Sequence, residues 1–479
     1  MRKGWRERRA VVVGSGPNGL VAAIALAEAG WSVSVYEAKD KPGGSLRSEA
    51  LTLPGFIHDV GASVLGLADQ SPALRRLPLA QYGFRLAQPR FALAHPFDDG
   101  TAALVSSALD ETVETLGRDG AAWRSLMQAL IADWAQLLPQ VLGPLPLPPR
   151  AFGALARFGV RAVLSARAFA HLHFREARAR ALFAGFAAHA CLPLEAPISA
   201  AFGLVLAANA HLSGWPVAVG GSQRLADVLV AHLRALGGTL QVETPIRALE
   251  HLPAEAVVLC DVTPRQFVQL AGEALPQRYR MRLARYRYGP GVFKMDFALC
   301  EPIPWRAAPC REAGTVHLGG TFEEIARSED AVARGYLPES PYVIVVQPTV
   351  CDPSRAPSGY HTAWAYCHVP NGCDADMSAR IEAQIERFAP GFRDCVMARA
   401  TFSAVQLERW NPNCIGGDIN GGLQDWRQLY ARPVLARFPY RTPLPGVYLC
   451  SASTPPGGGV HGMAGWHAAQ CALRDAERT

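Results

Sequence analysis

Gly14, Gly16 and Gly19 stand in the spacing GxGxxG within Gly14-Ser15-Gly16-Pro17-Asn18-Gly19. Three glycines so spaced suit a backbone wrapped around a pyrophosphate. The first permits a tight turn, the second lets the main chain approach the phosphates, and the third lets a helix pack closely on a strand. A helix opening from such a loop aims N–H donors and the positive end of its dipole at the anion. Glu37, followed by Ala38, stands where a carboxylate accepts a hydrogen bond from a ribose hydroxyl. Together these residues predict a dinucleotide site.

The elements that must position them are legible nearby. Val11-Val12-Val13 reads as a strand, Leu20 to Ala29 as a helix and Val33 to Tyr36 as a second strand. Just beyond comes Lys41-Pro42-Gly43-Gly44-Ser45-Leu46-Arg47. Paired glycines bring a second stretch of backbone to the cofactor, and Arg47 offers a planar fork to a phosphate. An NAD domain has no need of this loop, so the predicted cofactor is FAD. An exposed Pro-Gly turn is the plainer alternative.

From about Ala108 to Ala208 the chain reads as mostly helical, broken by the proline-rich 139–149. Arg157, Arg161, Arg167, Arg175, Arg178 and Arg180 alternate there with apolar residues, as on a solvent-facing helix side or one that lies on a membrane. A second α/β passage follows, with a helix over 223–236 and strands over 239–243 and 257–260. Strand-like runs dominate 280–350, including 291–299, and a last strand over 446–451 leads to a glycine loop and a helix from Gly465. The expected fold is α/β. A Rossmann-like domain is built from the separated segments 1–75, 216–275 and 430–479, and an α+β substrate domain, a mixed sheet with a helical lobe, comes from 76–215 and 276–429.

The order of motifs resembles the amine oxidase and phytoene desaturase type of flavoprotein, closest to its phytoene dehydrogenase-related branch. The resemblance rests on the fingerprint, the Gly43-Gly44…Arg47 loop, Phe56 to Ser63, Gly416-Gly417-Asp418-Ile419, Arg432-Pro433 and Ser451 to Gly462. It implies that the loop containing Ser451, Gly458, Gly459 and Val460 approaches the flavin ring, that the final helix points its N-terminus at the pyrimidine end, and that Pro245-Ile246 packs against adenine. It also implies that Lys294, in Gly291-Val292-Phe293-Lys294, holds a water near flavin N5. Gly457, Gly459 and Gly462 repeat the GxGxxG spacing, but only the residues up to Thr479 follow, so a second nucleotide site is not expected.

Lys294 is one of four lysines. Alternation sets Phe293, Met295 and Phe297 on one strand face and Lys294 with Asp296 on the other, which the plainer reading turns to solvent. His461, inside the glycine loop, is a second candidate acid or base. The eleven cysteines lack a CxxC pair, and neither His171 with His173 nor Cys367 with Cys373 has the companions of a metal site, so a disulfide reductase and a metal centre are not expected. The net charge of +6 is thinly spread beyond Arg2, Lys3, Arg6, Arg8 and Arg9, and suggests no nucleic-acid partner. The apolar run after that cluster is too short for a secretory signal. The expected activity is FAD-dependent redox chemistry on a lipophilic small molecule, altering carbon–carbon double bonds of a polyene or terpenoid, in the cytoplasm or at the inner membrane face. Amine oxidation and a flavin-containing interaction protein are the alternatives.

Overall fold

The computed structural model describes residues 8–144 and 151–478. Arg2, Lys3 and Arg6, part of the proline-rich break, and the side chain of Tyr430 lie outside the described residues. Five parallel strands form the first sheet, in the order Val447–Leu449, Val257–Cys260, Arg9–Val13, Ser32–Tyr36 and Thr239–Gln241. They come from three separated stretches of chain. Helices cover parallel strands, which explains why Val11, Val12 and Val13 read as an unbroken apolar run.

The first helix, Pro17–Glu28, begins three residues earlier than the apolar pattern suggests. Proline at its first position lacks only an N–H that would have no partner there, so Pro17 starts the helix without cost. The last helix likewise begins before Gly465, at Met463, with Gly462 at φ +65° as its N-cap. Gly465 does something else: a Cβ there would lie 1.8 Å from Asn18 O. The helices 17–28 and 463–476 are therefore held in direct backbone contact behind the sheet.

The second sheet has seven mixed strands, ordered Val396–Phe402, Gly291–Leu299, His361–Val369, Val343–Val346, Ala313–Leu318, Phe91–Pro96 and Ala102–Val105. The passage read as dominated by strands also contains the helix Phe322–Ala333, which opens on a Thr321/Glu324 capping box. Gly291–Leu299 is buried at every position, so the solvent-facing reading of the Lys294 face fails. Phe293, Met295 and Phe297 pack into one core while Val292 joins another across the sheet. Both faces of this strand are covered, one of them by the helical lobe.

In that lobe the helices Gly120–Val141, Phe152–Ala162, Ala166–His173, Ala177–Ala188 and Ser199–Ser213 follow one another. Several of its arginines are bound to neighbouring acids: Arg157 to Asp133 at 2.7 Å, Arg167 to Glu195 at 2.8 Å and to Glu323 at 2.7 Å. Among the described residues, no helix is long and apolar enough to cross a membrane.

Two glycine substitutions test this packing. Gly465→Ala forces the helices apart and should destabilise the protein by about 1–3 kcal/mol, as overpacking does. Gly159, in a helix and with nothing within 4 Å of its absent Cβ, should instead gain about 0.5–1 kcal/mol on change to Ala. Denaturant melts of both variants check the opposite signs.

Candidate active site

The C-terminal edge of the parallel sheet opens on a cavity of about 590 Å³ that extends beneath the seven-stranded sheet. Gly14, Ser15, Gly16, Pro17 and Asn18 line its near end. Gly14 takes φ +97°, and its N–H donates to Tyr36 O at 2.8 Å, tying the ends of two strands together. A Cβ on Gly19 would lie 2.2 Å from Gly14 O, and one on Gly16 would lie 2.6 Å from Asp261 Oδ2. Gly19 thus serves close packing, behind the lining rather than in it.

Glu37 and Ala38 also line the cavity. The Glu37 carboxylate accepts from Ser15 N–H at 2.9 Å, Ser15 Oγ at 2.6 Å and Lys39 N–H at 2.9 Å. A carboxylate has about four acceptor positions, so roughly one stays open for a ribose hydroxyl. The Gly43-Gly44 turn closes onto the same loop. Gly43, behind the lining, donates its N–H to Ser15 O at 3.0 Å, and a Cβ on cavity-lining Gly44 would lie 3.2 Å from Gly16 Cα.

Arg47 is buried at the cavity edge, its guanidinium 4.6 Å above the Trp410 ring. It pairs with Glu49 at 3.2 Å and Asp40 at 3.6 Å, but its Nε has no hydrogen-bond partner among the described residues. Asn18 Oδ1 is buried and unpartnered in the same sense. Unsatisfied buried polar atoms are costly, and these two face the end where a pyrophosphate would lie. The donor set fits a dinucleotide. Ile246, Ser451, Gly459 and Val460 line the cavity too, with Ser451 Oγ donating to Val262 O at 2.7 Å. Gly458 stands behind them, its absent Cβ 2.8 Å from Asn420 Cα.

Lys294 reaches the far end of the cavity. It is 4% exposed, and Nζ lies 2.6 Å from both Asp296 oxygens and 5.2 Å from the centre of the Trp364 ring. An ammonium has three donors; two are taken, which leaves one for water or substrate. Burial raises the Asp296 carboxyl to about 6 while Lys294 opposes the rise. His58 Nδ1 lies 3.6 Å from Asp296, yet burial and then the charges of Lys294 and Arg355 push that ring down to about 3. His58 is therefore a neutral neighbour of Asp296.

His461 is not brought to the cavity. It is fully buried; its Nδ1 accepts the Met463 N–H at 3.1 Å, at the start of the final helix, and its Nε2 is without a hydrogen-bond partner among the described residues. Burial lowers its pKa to about 4, which keeps the ring neutral. Trp426 is 51% exposed, and Trp410 stacks on Arg47 at the nucleotide end. The aromatic pair in the cavity is Trp364 and Tyr366, stacked 5.6 Å apart on the strand beside Lys294. Alternation along Trp364, Tyr366 and His368 was the available signal.

Asp261 was missed as well. It follows the strand Val257–Cys260, lines the cavity and accepts the Gly19 N–H at 3.0 Å. Ligands of parallel sheets sit at this edge, so an acid immediately after such a strand is a signal. Burial raises its carboxyl to about 7, with Glu37 adding to the rise and the Gly19 N–H opposing it.

A parallel sheet with a two-glycine-loop nucleotide cradle, joined to a mixed sheet that roofs the cavity, defines a flavin-dependent oxidoreductase fold. The comparisons make the class specific: a profile of the flavin containing amine oxidoreductase family matches residues 18–274, and the chain belongs to that family. Its cofactor is FAD. The chain is 26% identical to the Mus musculus pyridine nucleotide-disulfide oxidoreductase domain-containing protein 2, over 98% of this chain and 94% of that protein. It is 25% identical to the neurosporene-forming phytoene desaturase of Rhodobacter capsulatus, over 95% and 92%. An oxidoreductase structure from Methanosarcina mazei superposes with a TM-score of 0.66 at 16% identity, covering 97% of this chain and all of that one.

Arg47→Met removes a charge-assisted donor worth about 1.5–3 kcal/mol. FAD should then dissociate about 10–100-fold more readily, measured by flavin fluorescence on dilution. Asp261 gives a pH signature. Its folded-state pKa lies above the ordinary 3.8, so its contribution to stability is complete below about pH 4 and is lost as pH rises towards 7. Asp261→Asn, able to keep the Gly19 bond, should flatten the fall of Tm across that window; an unaltered slope would assign it elsewhere.

Proposed function

We propose that this family member acts on lipophilic polyenes or terpenoids, desaturating, saturating or isomerising carbon–carbon double bonds. The observation that carries the reading is the wall facing the Lys294 end of the cavity, built from Leu206, Trp215, Ile344, Val346, Trp364 and Tyr366. Apolar and aromatic linings select by shape and by burial of hydrocarbon. These six side chains are apolar or aromatic and carry no carboxylate to pair with a cationic amine. The likeness to a phytoene desaturase over most of the chain supports the same substrate class.

When bound, FAD supplies the two-electron hydride acceptor or donor, and the chain supplies the geometry. The stacked Trp364 and Tyr366 hold a flat, conjugated substrate against the sheet, and the mixed sheet with the lobe excludes water from it. Lys294, anchored by Asp296, directs its free donor into the cavity. The lobe also presents Phe152, Val160, Val163 and Leu172 to solvent, which suits collection of an apolar substrate at a membrane surface.

The test is anaerobic mixing of the holoprotein, oxidised and photoreduced, with carotenoid precursors, retinoids and amines. A polyene should bleach or restore the flavin absorbance while amines leave it unchanged. Response to amines alone overturns the polyene reading, and response to nothing favours an interaction protein. Lys294→Met should slow the responding half-reaction about a hundredfold or more at unchanged flavin content, the usual scale for a positioned proton-handling group; unchanged kinetics would remove Lys294 from the chemistry.

A further inference from the structure

The strand face that carries Trp364 and Tyr366 continues to His368. Both of its ring nitrogens are engaged: Nδ1 lies 2.8 Å from Glu329 Oε2, and Nε2 lies 3.3 Å from Cys191 Sγ. Asn420 Nδ2 donates to the same sulfur at 3.3 Å. Cys191 follows the helix Ala177–Ala188, Glu329 belongs to the helix Phe322–Ala333, and His368 to the strand His361–Val369. All three side chains are buried. A nucleophile, a base and a carboxylate that orients the base, linked in series within hydrogen-bond reach, are recognised by geometry and not by order in the chain.

Three further features set this cluster apart from incidental packing. Cys191 takes φ +53°, a left-handed conformation that a cysteine holds only where its surroundings impose it. Glu329 Oε1 is buried without a partner among the described residues, so its carboxylate leans on the imidazole. The sulfur's backbone neighbour His189 O is 3.9 Å away, farther than Nε2, so the ring is the nearer hydrogen-bond partner of the sulfur. Burial opposes a charged ring, but Cys191 and Glu329, by charge and hydrogen bond, hold His368 well above its ordinary value. Elsewhere burial pushes the Cys260, Cys310 and Cys414 thiols up to about 12.

Asn420 also lines the cavity, so the sulfur lies directly behind the cavity wall. We propose that Cys191 is a covalent acceptor site for small electron-poor alkenes that enter the cavity, with His368 as proton donor and Glu329 as its support. The sulfur's electron pair forms the C–S bond at the β-carbon as the π bond breaks. The displaced pair moves to the α-carbon, which takes the Nε2 proton of His368. The product is a thioether, nothing is oxidised or reduced overall, and no co-reactant is consumed. This addition is separate from the flavin reaction and needs no turnover of it.

Acrylamide, a small activated alkene, is the probe: the holoprotein is treated near neutral pH and adducts are timed at each cysteine by mass spectrometry. Although buried, Cys191 should react about tenfold faster than the exposed Cys300, because the His368 ring within hydrogen-bond reach activates the sulfur. Glu329→Gln should slow Cys191 about tenfold with Cys300 and flavin content unaltered. A Cys191 rate below that of Cys300 in the unmodified protein, or one unaffected by Glu329→Gln, overturns the proposal. If Glu329→Gln fails to retain flavin, the comparison within the unmodified protein decides alone.

Discussion

The two halves of the protein are joined through one buried carboxylate. Asp59 is fully buried and accepts from Ser48 Oγ at 2.6 Å, Ser63 Oγ at 2.6 Å and the Ser222 N–H at 2.8 Å, while Arg355, itself fully buried, completes its shell. Burial works to raise this carboxyl, but Arg355 and the three hydroxyl and amide donors hold it below its ordinary value. Ser48 follows the Gly43-Gly44 turn that closes on the glycine fingerprint, Ser63 lies four residues after Asp59, Ser222 opens the helix Gln223–Ala235, and Arg355 lies between two strands of the seven-stranded sheet, Val343–Val346 and His361–Val369. Losing either partner of such a pair leaves a buried charge uncompensated, at a cost of about 3–5 kcal/mol. This ion pair therefore helps to set the spacing between the nucleotide cradle and the sheet over the cavity, together with bonds such as Asn411 Nδ2 to Ser45 Oγ at 3.0 Å and Asn413 Nδ2 to Asp261 O at 2.9 Å.

Much of the cradle's shape follows from that joint. Arg355 also donates to Ile57 O at 3.3 Å, and Ala62 N–H reaches Ser45 O at 2.8 Å. A Cβ on Gly61 would meet Ser45 O at 2.3 Å, so the segment after Asp59 lies flat against the loop that carries Arg47. His58, one residue before Asp59, touches Asp296 from the other side. One short stretch thus faces the FAD loop and the Lys294 pair at once. A geometric error at residue 59 would be felt at both.

The parts of this arrangement that were legible in the sequence are those dictated by backbone. The GxGxxG spacing, the apolar runs beside it and Gly43-Gly44 depend on φ angles and close approaches that few residue types allow, so residue type alone announces them. The helix Phe322–Ala333 escaped because its apolar residues are interleaved with Glu323, Glu324, Glu329 and Asp330 amid strand-rich chain. Lys294 stood out by its rarity and its place on a strand, but its burial did not, since strand alternation reports which residues share a face and says nothing of what covers it. His461 was misjudged for the opposite reason. Nearness in sequence to a cofactor loop does not say which way a ring points, and here it turns back to the helix. Asp261, Trp364, Tyr366 and the Cys191 cluster are products of long-range assembly, visible only once separate strands lie side by side.

Charge balance at the far end of the cavity explains why so many ionisable groups can be buried there together. Lys294 cancels Asp296 and Arg355 cancels Asp59, each within hydrogen-bond distance. Burial first, and then the charges of Lys294 and Arg355, oppose a further proton on His58, which is why its pKa falls. Two unit charges about 4 Å apart interact by about 4 kcal/mol at an effective dielectric of about 20, so a net charge here would shift the energy of any electron transfer nearby. Neutral His461 likewise adds no cation at the start of the helix Met463–Ala476. The positive pole near the Gly459-Val460 loop then has two sources: the helix dipole, worth about half a charge and fixed in place by the Gly465 contact with Asn18, and the buried Arg432 guanidinium, which lies against Gly457 and donates to Ala452 O at 3.0 Å. A rigid partial charge of that kind can favour a reduced, anionic cofactor without moving as the pH changes.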